Sequence, residues 1–418
     1  MWEYLQFASG AGHHRVALTM AAVVLVRLWI GSGPCAAEEG SRWQLGGPIV
    51  TYWAGPPLTP AVAAQLAEGG WNLVWAREHE LDVAAQYGLR AQLQDPLLTP
   101  ESLEDPEHRQ KLEALVDRVR NHPALYSYFL RDEPNARDFP ALGRLVEFLR
   151  QRDPAHLAYI NLFPTYATNE QLGTQGDVVT AYREHLRLYL ETVKPALISF
   201  DHYHFRVEGD GEQYFLNLSL IREFALKYKL PFLNIVQACS WAPSMRVPNG
   251  DELRFLVYTT LAYGAQGISY YVYCWPNHVG GMALPDGSPT PLYHAAKLLN
   301  REFVAIAEEL QPLASLGVVH EGSLPQGAVP VPADAPFRVE AEGRDCGGFV
   351  LGYFGAIEGP ASHVLVVNLD YRASVNAKVR GPGPLEQFHP GQKIWEALGG
   401  PVVSVRFPPG GGFLLRSR

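Results

Sequence analysis

The chain has 418 residues, 47% of them hydrophobic and 18% charged, with a net charge of −9 at pH 7. A chain this apolar builds a large core instead of staying disordered, and its length allows two or three domains, one of which can be a barrel of about 250 residues. The acidic balance argues against nucleic acid and anionic membranes as partners, since both select basic surfaces, and it leaves uncharged ligands such as sugars open.

The first feature in chain order is the apolar run Val16–Ile30, broken by Arg27, with His13-His14-Arg15 before it and Cys35-Ala36-Ala37 after it. A basic flank, a short apolar stretch and small residues form the order of a secretory signal. The run is short for a spanning helix of about 20 residues. Residues 1–37 are therefore expected to be a signal cleaved near Ala37, which makes the mature chain secreted or periplasmic, with no stable membrane span. Cys239, Cys274 and Cys346 remain after it. They match neither a disulfide framework nor a zinc signature, and they are expected to be free buried thiols.

Eight short apolar runs follow, each leading into a longer amphipathic segment. They are Pro48–Trp53, Trp71–Ala76, Leu89–Leu93, Leu125–Leu130, Leu157–Leu162, Ala196–Phe200, Pro231–Val236 and Gly267–Tyr273. They are rich in β-branched and aromatic residues and lack clean alternation, as strands buried on both faces do. Between them, Pro106–Arg120 carries Leu112, Leu115, Val116 and Val119 at helical spacing. Asp138–Arg150, Val178–Val193, Tyr214–Tyr228, Asp251–Tyr263 and Pro291–Leu310 behave alike. Eight β-then-α units predict a (β/α)8 TIM barrel over residues 44–313. A doubly wound open sheet is the competing architecture, but no Gly-rich phosphate loop follows the first strand. Past Leu313 the period changes. Phe337–Glu340, Gly348–Phe354, His363–Asn368, Ser374–Val379, Val402–Phe407 and Gly412–Leu415 read as antiparallel strands, so residues 314–418 are expected to form a C-terminal β-sandwich.

Active sites of such barrels lie at the C-terminal strand ends. The residues there are Tyr52 and Trp53; Arg77, Glu78 and His79; Gln94 and Asp95; Arg131, Asp132 and Glu133; Asn161 and Phe163; Asp201, His202, Tyr203 and His204; Gln237, Ser240 and Trp241; and Tyr273, Trp275, Asn277 and His278. Carboxylates, amides and aromatics on one rim suit a sugar, because flat rings stack on pyranose faces while carboxylates do acid–base work. In Arg131-Asp132-Glu133-Pro134, a carboxyl backed by apolar strand residues can have its pKa raised by desolvation and then protonate a glycosidic oxygen. Arg131 opposes this if it pairs with Glu133. In Asp201-His202-Tyr203-His204, Asp201 and Tyr203 share one face of an extended segment and the two histidines share the other. One reading makes Asp201 a second catalytic carboxylate, and the other gives the segment to substrate hydrogen bonding or to a rim network that fixes side chains. A metal site on His202 and His204 would need a third ligand that the motif does not supply, so neither metal nor cofactor is implied.

With these motifs in view, the chain resembles the clan A glycoside hydrolases, especially the family 42 β-galactosidases and their uncharacterised relatives. The carriers are Tyr128-Phe129-Leu130-Arg131-Asp132-Glu133-Pro134, the segment Leu284–Tyr293 after the eighth strand, and Lys297 and Asn300 beyond it. The resemblance spans about Pro48 to Leu310. It implies that Glu133 is the general acid/base, since the strand-4 motif of that clan ends in Asn-Glu-Pro. Asp132 stands where the clan has its Asn. The clan nucleophile is a Glu ending strand 7, and this chain has Gln237 there, a neutral amide that cannot attack.

The reading is a secreted hydrolase of O-glycosidic bonds acting on an oligo- or polysaccharide. Glu133 is its acid/base and Asp201 the partner carboxylate. Asp132, Glu78, Asn161, His202, Tyr203, Gln237, Trp241, Tyr273 and Trp275 are the candidate substrate-binding residues. The competing readings are a carbohydrate-binding pseudoenzyme, for which Gln237 speaks, and a polysaccharide lyase with a Tyr or His base.

Overall fold

A computed structural model describes residues 42–343 and 347–418. The expected signal over residues 1–37, and Cys346, lie outside the described residues. Eight parallel strands are β1 (Ile49–Trp53), β2 (Leu73–Ala76), β3 (Arg90–Leu93), β4 (Leu125–Asp132), β5 (Leu157–Leu162), β6 (Ile198–His202), β7 (Phe232–Gln237) and β8 (Gly267–Tyr271). They pair in sequence order from β2 round to β8, and β8 pairs with β1, the order of a (β/α)8 barrel. The main helices between and after them are α1 (Pro60–Glu68), α2 (Leu81–Gln86), α3 (Pro106–Val119), α4 (Phe139–Arg152), α5 (Val178–Thr192), α6 (Tyr214–Tyr228), α7 (Gly250–Ala262) and α8 (Pro291–Leu310). Thr59, Asp105, Asp177, Asn249 and Thr290 cap five of them, each side chain accepting a first-turn N–H, which satisfies donors the helix itself cannot.

The barrel is nearly closed. Between β1 and β2 no strand ladder forms, and one backbone bond, from the Asn72 N–H to Val50 O at 3.0 Å, is joined by side chains across the seam. Asn72 Oδ1 accepts the Val50 N–H and its Nδ2 donates to the Pro48 carbonyl, both at 3.0 Å. Two indoles complete the seam: Trp71 Nε1 donates to Thr51 O at 3.2 Å and Trp75 Nε1 to Tyr52 O at 2.5 Å. The second bond holds the Trp75 ring at the mouth, edge-on to Trp53 with centroids 5.0 Å apart.

Strands β4, β6 and β7 run further than their apolar runs, so Asp132, Asp201, His202 and Gln237 are strand residues, while Tyr273 lies past the end of β8. The extensions carry polar side chains that strand propensity disfavours, and parallel neighbours hold them in register.

The C-terminal strands are β9 (Ala314–Glu321), β10 (Arg338–Ala341), β11 (Phe349–Gly355), β12 (Ala361–Asn368), β13 (Val375–Arg380), β14 (Leu385–His389), β15 (Ile394–Ala397), β16 (Val402–Phe407) and β17 (Gly412–Ser417). They form a six-stranded sheet, β9-β11-β12-β17-β14-β15, and a three-stranded sheet, β10-β13-β16. Alternation along β11 divides its side chains between two cores. Phe349, Leu351 and Tyr353 enter the sandwich, whereas Val350 and Phe354 join the layer that contains the barrel helices. Gly352 is required there, because a Cβ would meet the Ala262 carbonyl oxygen of α7 at 2.1 Å. Gly352→Ala is expected to cost about 1–3 kcal/mol, read as a lower denaturation midpoint. A variant as stable as the parent would show that the sheet does not seat on α7 this closely. Among the described residues no helix is long and apolar enough to cross a membrane.

Candidate active site

The C-terminal ends of β4, β5 and β6 bring Asp132, Glu133 and Asp201 together around the amide of Asn161. Asn161 Nδ2 donates to Asp132 Oδ1 at 3.0 Å and to Asp201 Oδ1 at 2.8 Å. With its N–H groups so committed, its Oδ1 accepts from Ser199 Oγ at 2.9 Å, and Tyr159 then donates to Ser199 Oγ at 2.7 Å. The network fixes the amide and both aspartates from beneath.

Glu133 follows β4 with φ of 42°, in the left-handed region that costs a non-glycine residue energy. Its N–H is held by the Asn161 carbonyl at 2.9 Å. The Glu133 and Asp201 carboxyls act on each other electrostatically. Asp201 is only 2% exposed, and no protein N–H or O–H group reaches its Oδ2. Ionisation of one such carboxyl disfavours that of the other. Burial, followed by the charge of Asp132, pushes Glu133 up to about 7. Asp201 is raised well above the usual carboxylate range by burial and then by Glu133. Burial also raises Asp132, opposed by the Asn161 bond. Among the described residues no ion pair joins Arg131 to Glu133, so the opposing pairing does not form.

Asp132 faces a cavity of about 500 Å³, walled by Trp53, Trp75, Phe129, Tyr271 and Trp275, with Arg77 and Gln94 as further polar groups. Trp275 is 50% exposed. Tyr203 and Trp241 extend the aromatic wall behind Tyr271, with ring centroids 4.9 and 5.0 Å from it.

Four expected substrate-binding residues lie elsewhere. Glu78 turns to α3 and forms a bidentate pair with Arg118 at 2.7 and 2.9 Å. The β2 carboxylate on the cavity wall is instead Glu80, which clamps the Leu58 and Arg77 N–H groups at 3.0 and 2.7 Å. Tyr273 is buried against Tyr52 and Trp71 and donates to Gln65 of α1. His202 points away from the carboxylates, with Nδ1 2.9 Å from Asn217 Oδ1. Gln237 is fully buried and saturated by backbone. Its Oε1 accepts the Phe205 N–H at 2.7 Å, and its Nε2 donates to the carbonyls of Phe205, Cys239 and Arg246 at 2.9, 3.3 and 2.8 Å.

Trp53, Arg77 and Gln94 were legible as strand-end residues, though not as site residues. Trp75, Phe129 and Tyr271 lie within strands and carry no separate signal. Cys239 and Cys274 are free, the first buried and the second half-buried.

No family model matches the chain, and no curated protein does. Among solved structures it is similar to one described as a glycoside hydrolase, at 12% identity and a TM-score of 0.51, over 90% of this chain and 95% of that one. It is also similar to a GH99 endo-alpha-mannosidase from Bacteroides thetaiotaomicron, at 12% identity and a TM-score of 0.39, over 61% of this chain and 80% of that one. A GH128 endo-beta-1,3-glucanase from Sorangium cellulosum follows at 13% identity and a TM-score of 0.39, over 60% and 97%. The first likeness establishes a shared architecture, a TIM barrel with appended β-sheets.

Proposed function

We propose that the protein is a glycoside hydrolase that cleaves O-glycosidic bonds of an oligo- or polysaccharide, with Glu133 as general acid. The observation that carries this is a pair of raised, mutually acting carboxyls, Glu133 and Asp201, next to Asp132 on the wall of an aromatic cavity. A carboxyl titrating at about 7 keeps its proton where an ordinary glutamic acid has lost it. The fold likeness to a glycoside hydrolase and the Arg131-Asp132-Glu133-Pro134 resemblance to the family 42 β-galactosidases support the same reading, and the first 37 residues support export.

Asp201 is 2% exposed and its Oδ1 is held by Asn161 at 2.8 Å, so it has no open path to a sugar carbon and serves Glu133 as a positioning residue. Asp132, on the cavity wall, is the carboxylate open to substrate or to an attacking water.

Asp201→Ala tests this division. It removes a donor that favours the Glu133 carboxylate. The pKa of Glu133 then rises, so the alkaline limb of kcat/KM is expected to move up, whereas Asp201→Asn, which keeps a donor, is expected to leave the limb in place. Reduced activity at every pH with an unmoved limb in Asp201→Ala would contradict it and leave Asp201 a merely structural role.

A second reading, sugar binding without hydrolysis, is favoured by one observation: Gln237 has no free hydrogen-bonding capacity and no charge. A screen for new reducing ends across neutral glycans separates the two readings. Release supports the hydrolase, and saturable binding without release supports the pseudoenzyme.

A further inference from the structure

The cavity beside Asp132 is chemically divided. Its charged and amide side chains, Arg77, Glu80, Gln94 and Asp132, all lie on the β2–β4 side. The other side is built by the loops after β1 and β8, which contribute Pro56, Pro57 and Trp275. Strands β4 and β8 stand opposite each other in the ring of eight, so the cavity reaches across the mouth. Its volume of about 500 Å³ is that of sites for drug-sized ligands. A single hexose, with about a dozen heavy atoms, is smaller than such ligands.

Trp275 is the aromatic of this wall that the protein leaves unused. Trp53, Trp75 and Phe129 pack edge-on to one another, with centroids 5.0, 5.7 and 4.8 Å apart, and Tyr271 packs against Tyr203 and Trp241. Trp275 is 50% exposed. Among the described residues no ring packs on it and its Nε1 donates to no protein group. Exposed apolar surface at the rim of a polar cavity marks a place for a ligand. The loop that carries it is held down. The Tyr273 N–H lies 3.1 Å from both the Trp53 and Ala54 carbonyl oxygens, and the Cys274 N–H donates to Ala54 O at 3.4 Å. These bonds tie the Trp275 loop to the loop of Pro56 and Pro57, whose rings fix φ. Gly55 lets that second loop lie against Tyr52, where a Cβ would stand 2.7 Å from the ring. Both apolar edges are therefore in place before a ligand arrives.

A flat indole beside two proline rings suits the C–H face of a pyranose, and the free indole N–H suits a hydroxyl at its edge. A hydrocarbon would bury that donor unpaired. We infer that Trp275, Pro56 and Pro57 form an outer sugar subsite, so that the ligand is a sugar chain reaching at least one uncharged unit past the unit held at Asp132. That this chain is a substrate rests on the glycosidase reading above.

The test is calorimetry on Glu133→Gln with and without Trp275→Ala. The sugar is the best neutral binder of a glycan array, titrated as its methyl glycoside, phenyl glycoside, disaccharide and trisaccharide. Trp275 has no ring or hydrogen-bond partner to lose, so an unchanged melting temperature is expected and serves as the check. Trp275→Ala is expected to weaken the trisaccharide about tenfold and the methyl glycoside by less than about twofold, and Trp275→Phe to restore most of the loss. An equal loss at every length, no loss at any, or no binding of the trisaccharide to Glu133→Gln would overturn the subsite. A loss on the phenyl glycoside as large as on the trisaccharide would overturn it too, in favour of an apolar aglycone site. Release of reducing ends by the wild-type protein, measured alongside, keeps the two readings apart. Release with length-independent losses removes the subsite alone, and no release with length-dependent losses removes the hydrolase alone.

Discussion

Glu133→Gln is expected to lower turnover by about 10²–10⁴-fold while making the protein more stable at pH 8. The first effect is the loss of a positioned proton donor. The second follows from the sign of its pKa shift. The folded carboxyl titrates at about 7, above its ordinary value of 4.5. The folded state therefore binds the proton more tightly than the unfolded state does, and stability falls as pH rises from about 4.5 through about 7. Glutamine carries no such penalty. A gain of about 1–3 kcal/mol is expected at pH 8, discounted for partial exposure, and it vanishes near pH 4.5. Thermal melts of parent and variant across that range measure it. A variant that is less stable at every pH would show that Glu133 contributes favourable native contacts and bears no buried, proton-demanding load.

Gln237→Glu is expected to destabilise strongly and to create no activity. It restores the strand-7 carboxylate of the resembled clan, yet here it would aim charge at three carbonyl oxygens, those of Phe205, Cys239 and Arg246. Removing the donors takes a bond from each of these acceptors, leaving Phe205 O only the long Arg246 N–H contact at 3.4 Å, and buries an uncompensated anion, at a cost on the order of 3 kcal/mol or more. A protonated carboxyl restores one bond, so the folded pKa rises above the ordinary value. The loss is then smallest near pH 4 and complete at neutral pH. Denaturant titrations at the two extremes measure this. A variant as stable as the parent at pH 7, or one with higher turnover, would refute the clamp.

Much of the architecture was legible because barrel strands buried on both faces are unbroken apolar runs, and because helical spacing fills the intervals. Three strands of the C-terminal region escaped. β14 and β15 carry Glu386, Gln387 and Glu396, which obscure any apolar alternation, yet Glu386 is buried and satisfied by Arg416 and Arg418. β9 carries Gly317 across an irregular register. At the site, Asp132, Glu133 and Asp201 stood out as carboxylates at strand ends. Their mutual contact did not, since it depends on Asn161 and on the left-handed backbone of Glu133, neither of which leaves a local pattern. The exchange of Glu78 for Glu80 has a similar origin. A short 3₁₀ turn, Glu78–Glu80, rotates one carboxylate to Arg118 and the other to the mouth. Gln237 was conspicuous as a departure from the clan, but a saturated bracket and a substrate-binding amide are indistinguishable in one dimension.

In the proposed reaction Glu133 delivers a proton to a glycosidic oxygen. A substrate with a good leaving group needs little of that help, whereas an oligosaccharide needs all of it. The most direct measurement is kcat/KM of wild type and Glu133→Gln on a dinitrophenyl glycoside and on an unactivated oligosaccharide of the same sugar. The expected result is a loss of about 10² or more on the oligosaccharide and a far smaller loss on the dinitrophenyl glycoside. An equal loss on both, or no loss on either, would contradict the assignment.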